Sequence, residues 1–175
     1  MRLWLRHLNE LEAPICLAGS RSLRRDGARR LFAIVSRLGD GVFWYSLIAV
    51  MPLADGWDGM RAALHMVLTG ALVLAVYKTL KRTTQRERPC QSLTEVTAIV
   101  PPLDHYSFPS GHTLQAVSFT LVALHYYPGL AWVLIPFTLL VASSRLVLGL
   151  HYPSDILAAA GIGFGLSYTG ILLVS

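Results

Sequence analysis

The chain has 175 residues, of which 54% are hydrophobic and 14% charged, with a formal net charge of +5 and a mean hydropathy of +0.51. A soluble domain carries about 25% charged residues, so lipid is the solvent for most of this surface, and the length leaves room for one domain only. Eight of the 13 arginines precede Gly39 (Arg2, Arg6, Arg21, Arg24, Arg25, Arg29, Arg30 and Arg37); basic flanks of membrane helices account for them, and the sequence has neither zinc-ligand spacing nor a nucleic-acid-binding signature.

In chain order, residues 1–38 read as an amphipathic basic segment of one or two helices lying in the membrane interface. A cleavable signal peptide is not expected, because Arg2, Arg6, Glu10 and Glu12 interrupt the apolar run. A spanning helix needs about 20 apolar residues, and stretches free of Asp, Glu, Lys and Arg predict five spans near 40–54, 61–80, 111–127, 130–149 and 155–174. Pro128-Gly129 divides the long uncharged run His105–Ser144 into the third and fourth. A sixth span on Leu8–Leu23 is the alternative, at the cost of carrying Glu10, Glu12 and Arg21. The expected architecture is therefore an all-α polytopic transmembrane helix bundle, one membrane-embedded domain over 1–175 with its core at 40–175. Pro136 predicts a kink in the fourth span, and Gly161 and Gly165 predict close helix packing in the fifth. Two distant cysteines, Cys16 and Cys90, suggest no disulfide framework.

Polar residues collect at the ends of these spans. Lys81 to Pro89 follows the second, Pro109-Ser110-Gly111-His112 opens the third, and Ser144-Arg145, His151 and Asp155 join the fourth to the fifth. By parity of crossing, all three clusters lie on one membrane face. Lys81, Arg88 and Arg145 offer a point charge and two planar forks that match phosphate oxygens. Ser110 is placed to cap the third helix, Gly111 permits close backbone approach, and that helix N-terminus favours an anion. Asp155 lies four residues after His151 and can fix its tautomer. A histidine held so can attack phosphorus, while His112 can protonate the departing oxygen. No carboxylate cluster suggests a metal mechanism, so neither cofactor nor metal is expected.

Lys-x6-Arg-Pro at Lys81–Pro89, Pro-Ser-Gly-His at 109–112 and Ser-Arg-x5-His-x3-Asp at Ser144–Asp155 resemble the three-part signature of the type 2 phosphatidic acid phosphatase superfamily. The resemblance covers the second to fifth spans. It implies a metal-independent, two-step lipid phosphatase with His151 as nucleophile, Asp155 as its partner and His112 as general acid. Lys81, Arg88, Ser110, Gly111 and Arg145 would hold the phosphoryl oxygens. The superfamily also contains soluble vanadium haloperoxidases, and the apolar composition argues against that branch.

The small size resembles bacterial undecaprenyl diphosphate phosphatases. Phosphatidic acid and phosphatidylglycerol phosphate are alternative substrates; a lipid phosphotransferase and a non-catalytic phosphate-lipid binder or transport protein are alternative functions. A binder has no need of the His112, His151 and Asp155 set. The expected setting is the bacterial inner membrane, with a membrane lipid or polyprenyl phosphate as substrate, the bilayer as partner and no nucleic acid. Sidedness is contested: the basic N-terminus places the site face in the cytoplasm by charge bias, whereas the resemblance implies an outward site. His65 and His125 read as satisfied or interfacial, His7 as part of the amphipathic segment, and Trp4, Trp44, Trp57 and Trp132 as interfacial anchors or packing. Asp104, His105 and Tyr106 read as shaping the entrance, and Arg82 and Arg86 as a reach toward a second phosphate or a solvated helix face.

Overall fold

The computed structural model describes residues 3–22 and 26–174. Arg2, Arg24 and Arg25 lie outside them, and the side chains of Trp4 and Arg6 are likewise not described. The described residues form α1 (Leu3–Ser22), α2 (Asp26–Arg37), a wide helical turn at Leu38–Val42, α3 (Phe43–Thr84), α4 (Pro89–Ser92), α5 (Gly111–Tyr126), a tight turn at Pro128–Leu130, α6 (Ala131–Val147) and α7 (Pro153–Val174). The stretches Asp26–Ser92, Pro128–Val147 and Pro153–Val174 have the length and hydropathy to cross a membrane. At 16 residues α5 is the shortest of the long helices, about 24 Å at 1.5 Å per residue.

α3 is not one continuous rod. Asp55 (φ −136°) and Gly56 (φ 54°) leave helical geometry, and the chain doubles back there. A Cβ on Gly59 would meet the Met51 carbonyl at 2.0 Å, so only glycine lets the two limbs close. These limbs are the first two predicted spans. Tyr127 donates to Asp55 across 2.9 Å, which joins the α3 bend to the α5–α6 turn on one end of the bundle. The ends of α3, α5 and α6 and the start of α7 that carry the polar clusters gather at the other, as crossing parity requires.

α5 is the central helix, packed against α3, α6 and α7. Its Ala116, Phe119 and Val122 join Trp44, Met66, Leu134 and Val141 in the main apolar core. Small residues bring α5 and α7 together: a Cβ on Gly163 would meet the Leu114 carbonyl at 2.9 Å, and Ser167 donates to the Ser118 carbonyl at 3.3 Å. Such small-residue contacts replace the hydrophobic driving force that helices lack within lipid. The expected close packing at Gly161 and Gly165 is not where the structure puts it. Nothing lies within 4 Å of a Cβ on either; the packing glycine, Gly163, points to the opposite side of the helix.

Among the tryptophans, Trp44 is fully buried, against Phe43, Phe119 and Phe137. Trp57 and Trp132 are exposed at the end away from the polar clusters, where interfacial tryptophans belong. The N-terminal helices also form as expected, but their buried faces meet protein. α2 packs on α6, and α1 on α6 and α7, with Leu5, Asn9, Glu12 and Cys16 turned inward.

Candidate active site

His151, His112, Asp155, Lys81, Arg88, Ser110 and Arg145 are all buried and gather at one end of the bundle. A cavity of about 470 Å³ opens beside them. His112, His151, Arg88, Arg145, Gly111, Asp104 and Asp40 line its polar end, and Ile48, Val67, Leu74 and Phe119 contribute to its apolar wall. Lys81 and Ser110 are adjacent but do not line it. The Ser110 side chain makes no cap to the backbone; its hydroxyl pairs with Thr113 at 3.0 Å and its N–H donates to the Asp155 carbonyl. The anion-binding donors left at the α5 terminus are first-turn N–H groups, which have no intrahelical acceptor. Gly111 presses on Tyr77, whose ring would lie 2.6 Å from an added Cβ.

The tautomer of His151 follows from its neighbours. Arg88 can only donate, and its Nη1 lies 3.1 Å from His151 Nε2, so Nε2 carries the lone pair and Nδ1 the proton. Nδ1 lies 3.6 Å from Asp155 Oδ2 and 3.5 Å from Ser107 Oγ, while Ser107 itself donates to Asp155 Oδ2. Asp155 thus holds the ring through an electrostatic approach and through Ser107. Burial pushes the His151 pKa well below its usual value, and the charges of Arg88, Arg145 and Lys81 push the same way. This favours the neutral ring, with its lone pair at Nε2.

Arg86 overturns both expectations for it. It is fully buried, reaching neither a second phosphate nor solvent. Its guanidinium donates to Asn9 (2.9 Å), Ser154 (2.7 Å), Asp155 Oδ1 (2.7 Å) and Glu12 (2.7 Å), and it stacks over Tyr152. Its charge is spent on compensating two buried carboxylates. Glu12 also accepts from the Ser154 N–H at 2.7 Å, placing a carboxylate at the positive end of α7.

Asp104, read as shaping the entrance, does line the cavity and also pairs with its cations, while Ser36 and Asp40 were not read as site residues. Asp104 pairs with Lys81 and Arg88 (2.7 Å to Arg88 Nη2) and accepts from Tyr77. Burial raises its carboxyl pKa, but the bonds from Lys81 and Tyr77 and the nearby charges bring it down to about 2. Ser36 accepts from Arg145, and Asp40 accepts from His112 Nε2. The available signal was an Asp flanked by Gly39 and Gly41 at the start of an apolar run, since ionisable groups at membrane depth are functional by default. His65 pairs with the Tyr126 hydroxyl at 3.2 Å and stays outside the site.

Fold and site together define a polytopic membrane protein with a cavity whose polar end holds two arginines and two histidines. The PAP2 superfamily profile matches residues 62–175, and the chain belongs to that superfamily. It is similar to an undecaprenyl-diphosphatase of Sulfolobus acidocaldarius, 23% identical over 83% of this chain and 70% of the relative. It is also similar to the undecaprenyl-diphosphatase BcrC of Bacillus subtilis, 31% identical over 66% of this chain but 60% of the relative's length. The crystal structure of a transmembrane PAP2-type phosphatidylglycerolphosphate phosphatase from Bacillus subtilis superposes with a TM-score of 0.78 at 22% identity, covering 95% of this chain and 86% of that one. The protein is an integral-membrane lipid phosphatase.

Proposed function

We propose that this phosphatase hydrolyses undecaprenyl diphosphate to undecaprenyl phosphate through a phosphohistidine on His151. The arrangement that carries the reading is a single cavity whose polar end holds two histidines and two arginines and whose wall is apolar: a phosphoryl group fits one end and a polyprenyl chain the other. His151 Nε2 attacks the terminal phosphorus and the bond to the bridging oxygen breaks. His112 hands a proton to that departing oxygen, and undecaprenyl phosphate leaves. Water then attacks the phosphohistidine, His112 takes its proton back, and inorganic phosphate is released. Asp155 orients His151. Lys81, Arg88 and Arg145, with Ser110 and Gly111 at the start of α5, hold the equatorial oxygens and stabilise the charge that builds on them.

We place the whole chain in one catalytic unit, with 1–38 as an accessory segment against a 40–175 core, in a bacterial inner membrane with the site facing outward. The names of the two relatives favour the polyprenyl diphosphate. Phosphatidylglycerol phosphate is the second reading, favoured by the fold of the superposed phosphatase. Purified protein in detergent, given undecaprenyl diphosphate, phosphatidic acid and phosphatidylglycerol phosphate side by side, should show its highest kcat/KM on the first. An acid-labile phosphoenzyme should accumulate on rapid quenching. A preference for either monoester, or hydrolysis without a phosphohistidine, would overturn the substrate or the mechanism respectively.

A further inference from the structure

Asp40 lies outside the part of the chain that the superfamily profile matches, yet it touches a residue at the centre of the site. Its Oδ1 meets His112 Nε2, and both residues line the cavity. The backbone is shaped to bring it there. Leu38–Val42 forms a wide turn between α2 and α3, a distortion that recurs at functional sites. Gly41 at φ 138° breaks the helical path within it. Gly39 is packed so closely that an added Cβ would lie 3.1 Å from Val141 and 3.7 Å from the His112 ring. Both neighbours of Asp40 are thus glycines for a steric reason, and the result is a carboxylate carried to α5 from 72 positions away.

We propose that Asp40 is the positioning residue of His112, accepting its Nε2–H so that Nδ1 is the nitrogen that passes the proton to and from the substrate oxygen. The assignment rests on the reading of His112 as general acid. A carboxylate in contact with an imidazole fixes its tautomer and stabilises the imidazolium. Asp40 therefore does for the acid what Asp155 does for the nucleophile, with a different demand. The acid must hold its proton until the bond to phosphorus breaks, and the direct Asp40 contact supports the positive charge. Arg145 and Arg88 line the same polar end of the cavity as the His112 ring, and Asp40 is the carboxylate in direct contact with that ring.

The experiment compares the full-length wild type, Asp40→Asn, Asp40→Glu, His112→Ala and the Asp40→Asn/His112→Ala double variant in detergent. Two probes are used: phosphatidic acid, whose alkoxide leaves only with a proton, and p-nitrophenyl phosphate, whose phenolate leaves unaided. Asp40→Asn should lose roughly tenfold or more in kcat on phosphatidic acid, within the about 10²–10⁴-fold that a general acid contributes, and much less on the aryl ester. The double variant should be no slower than His112→Ala, since groups acting as one unit are non-additive. Asp40→Glu keeps a carboxylate and should recover part of the phosphatidic acid rate. It also decides the matter should Asp40→Asn not purify as a folded species: the lipid rate must then fall more than the aryl rate. Equal losses on both probes, additivity with His112→Ala, or wild-type rates in Asp40→Asn would each overturn the proposal. If His112→Ala itself shows no dependence on leaving group, the general-acid reading fails and takes this assignment with it. If His112→Ala shows it and Asp40→Asn does not, only the role of Asp40 is lost.

Discussion

The site contains two histidine–aspartate pairs built from the same residue types and held in different surroundings. His151 and Asp155 are four residues apart and both fully enclosed. Asp40 and His112 come from separate helices and are partly open to the cavity, with the Asp40 side chain 23% exposed. In the first pair the carboxylate's charge is already answered by Arg86 at 2.7 Å, and the ring faces Arg88. The pair therefore orients a neutral ring without drawing a second proton onto it. In the second, carboxylate and ring meet directly. If His151 is the nucleophile and His112 the acid, the answered carboxylate of the first pair and the direct contact of the second are the features that separate their tasks.

Substitutions break this comparison in graded fashion. His151→Ala removes the attacking atom and should abolish turnover and the acid-labile phosphoenzyme, a loss on the order of 10⁶-fold in kcat as in other enzymes stripped of a covalent nucleophile. Rapid-quench labelling with a radioactive substrate reads it directly. His112→Ala should cost about 10²–10⁴-fold on phosphatidic acid and less on p-nitrophenyl phosphate, in steady-state rates. If instead the leaving-group dependence appears in His151→Ala and not in His112→Ala, the two roles are exchanged.

Smaller effects sharpen the comparison. If Lys81 and Arg88 hold the phosphoryl group, Asp104, which pairs with both, competes with it. Asp104→Asn should therefore lower KM, or tighten vanadate inhibition, by roughly fivefold, about 1 kcal/mol for a partly exposed pair, with kcat little changed. Burial, with the charges of Arg88, Arg145 and Lys81, holds His151 well below 6.5. If His151 is the nucleophile, the acid limb of kcat should accordingly lie well below 6.5, and a limb at that value would mean that this buried, cationic setting does not control it. Chelation should have the least effect. If a proton from His112 is what neutralises the leaving oxygen, EDTA should leave the rate unchanged, and restoration by magnesium would give that task to a metal.

The His151–Asp155 pair was legible in the sequence because its spacing is local: four residues at the start of a helix place Asp155 beside His151 whatever the rest of the chain does. The convergence of Lys81, Arg88, His112 and Arg145 was legible through crossing parity, which needs only the number of spans. Asp40 was not, since hydrophobic patterning says which stretches enter lipid and nothing about which polar group another helix presents. For the same reason Arg86 was read as facing phosphate or solvent. Its partners Asn9 and Glu12 lie 77 and 74 positions away, in a segment whose amphipathic pattern fits a membrane surface as well as a protein one. The Gly161 and Gly165 pair shows the same limit in miniature: spacing marks a smooth helix face, and only the neighbour decides which face is used.

The knot of bonds around Arg86 has a consequence for biosynthesis. Glu12 of α1 is bonded to Ser154 at the head of α7, 142 positions later, and Arg86 sits between Glu12 and Asp155. While the chain is being threaded into the bilayer, Glu12 and Arg86 have each other as partners, but Ser154 and Asp155, the other half of the clasp, arrive only with α7. With only the first helices in place the clasp is half made. His151, Ser154 and Asp155 arrive within the same few residues, so the histidine–aspartate pair and the second half of the clasp enter the bilayer in one step.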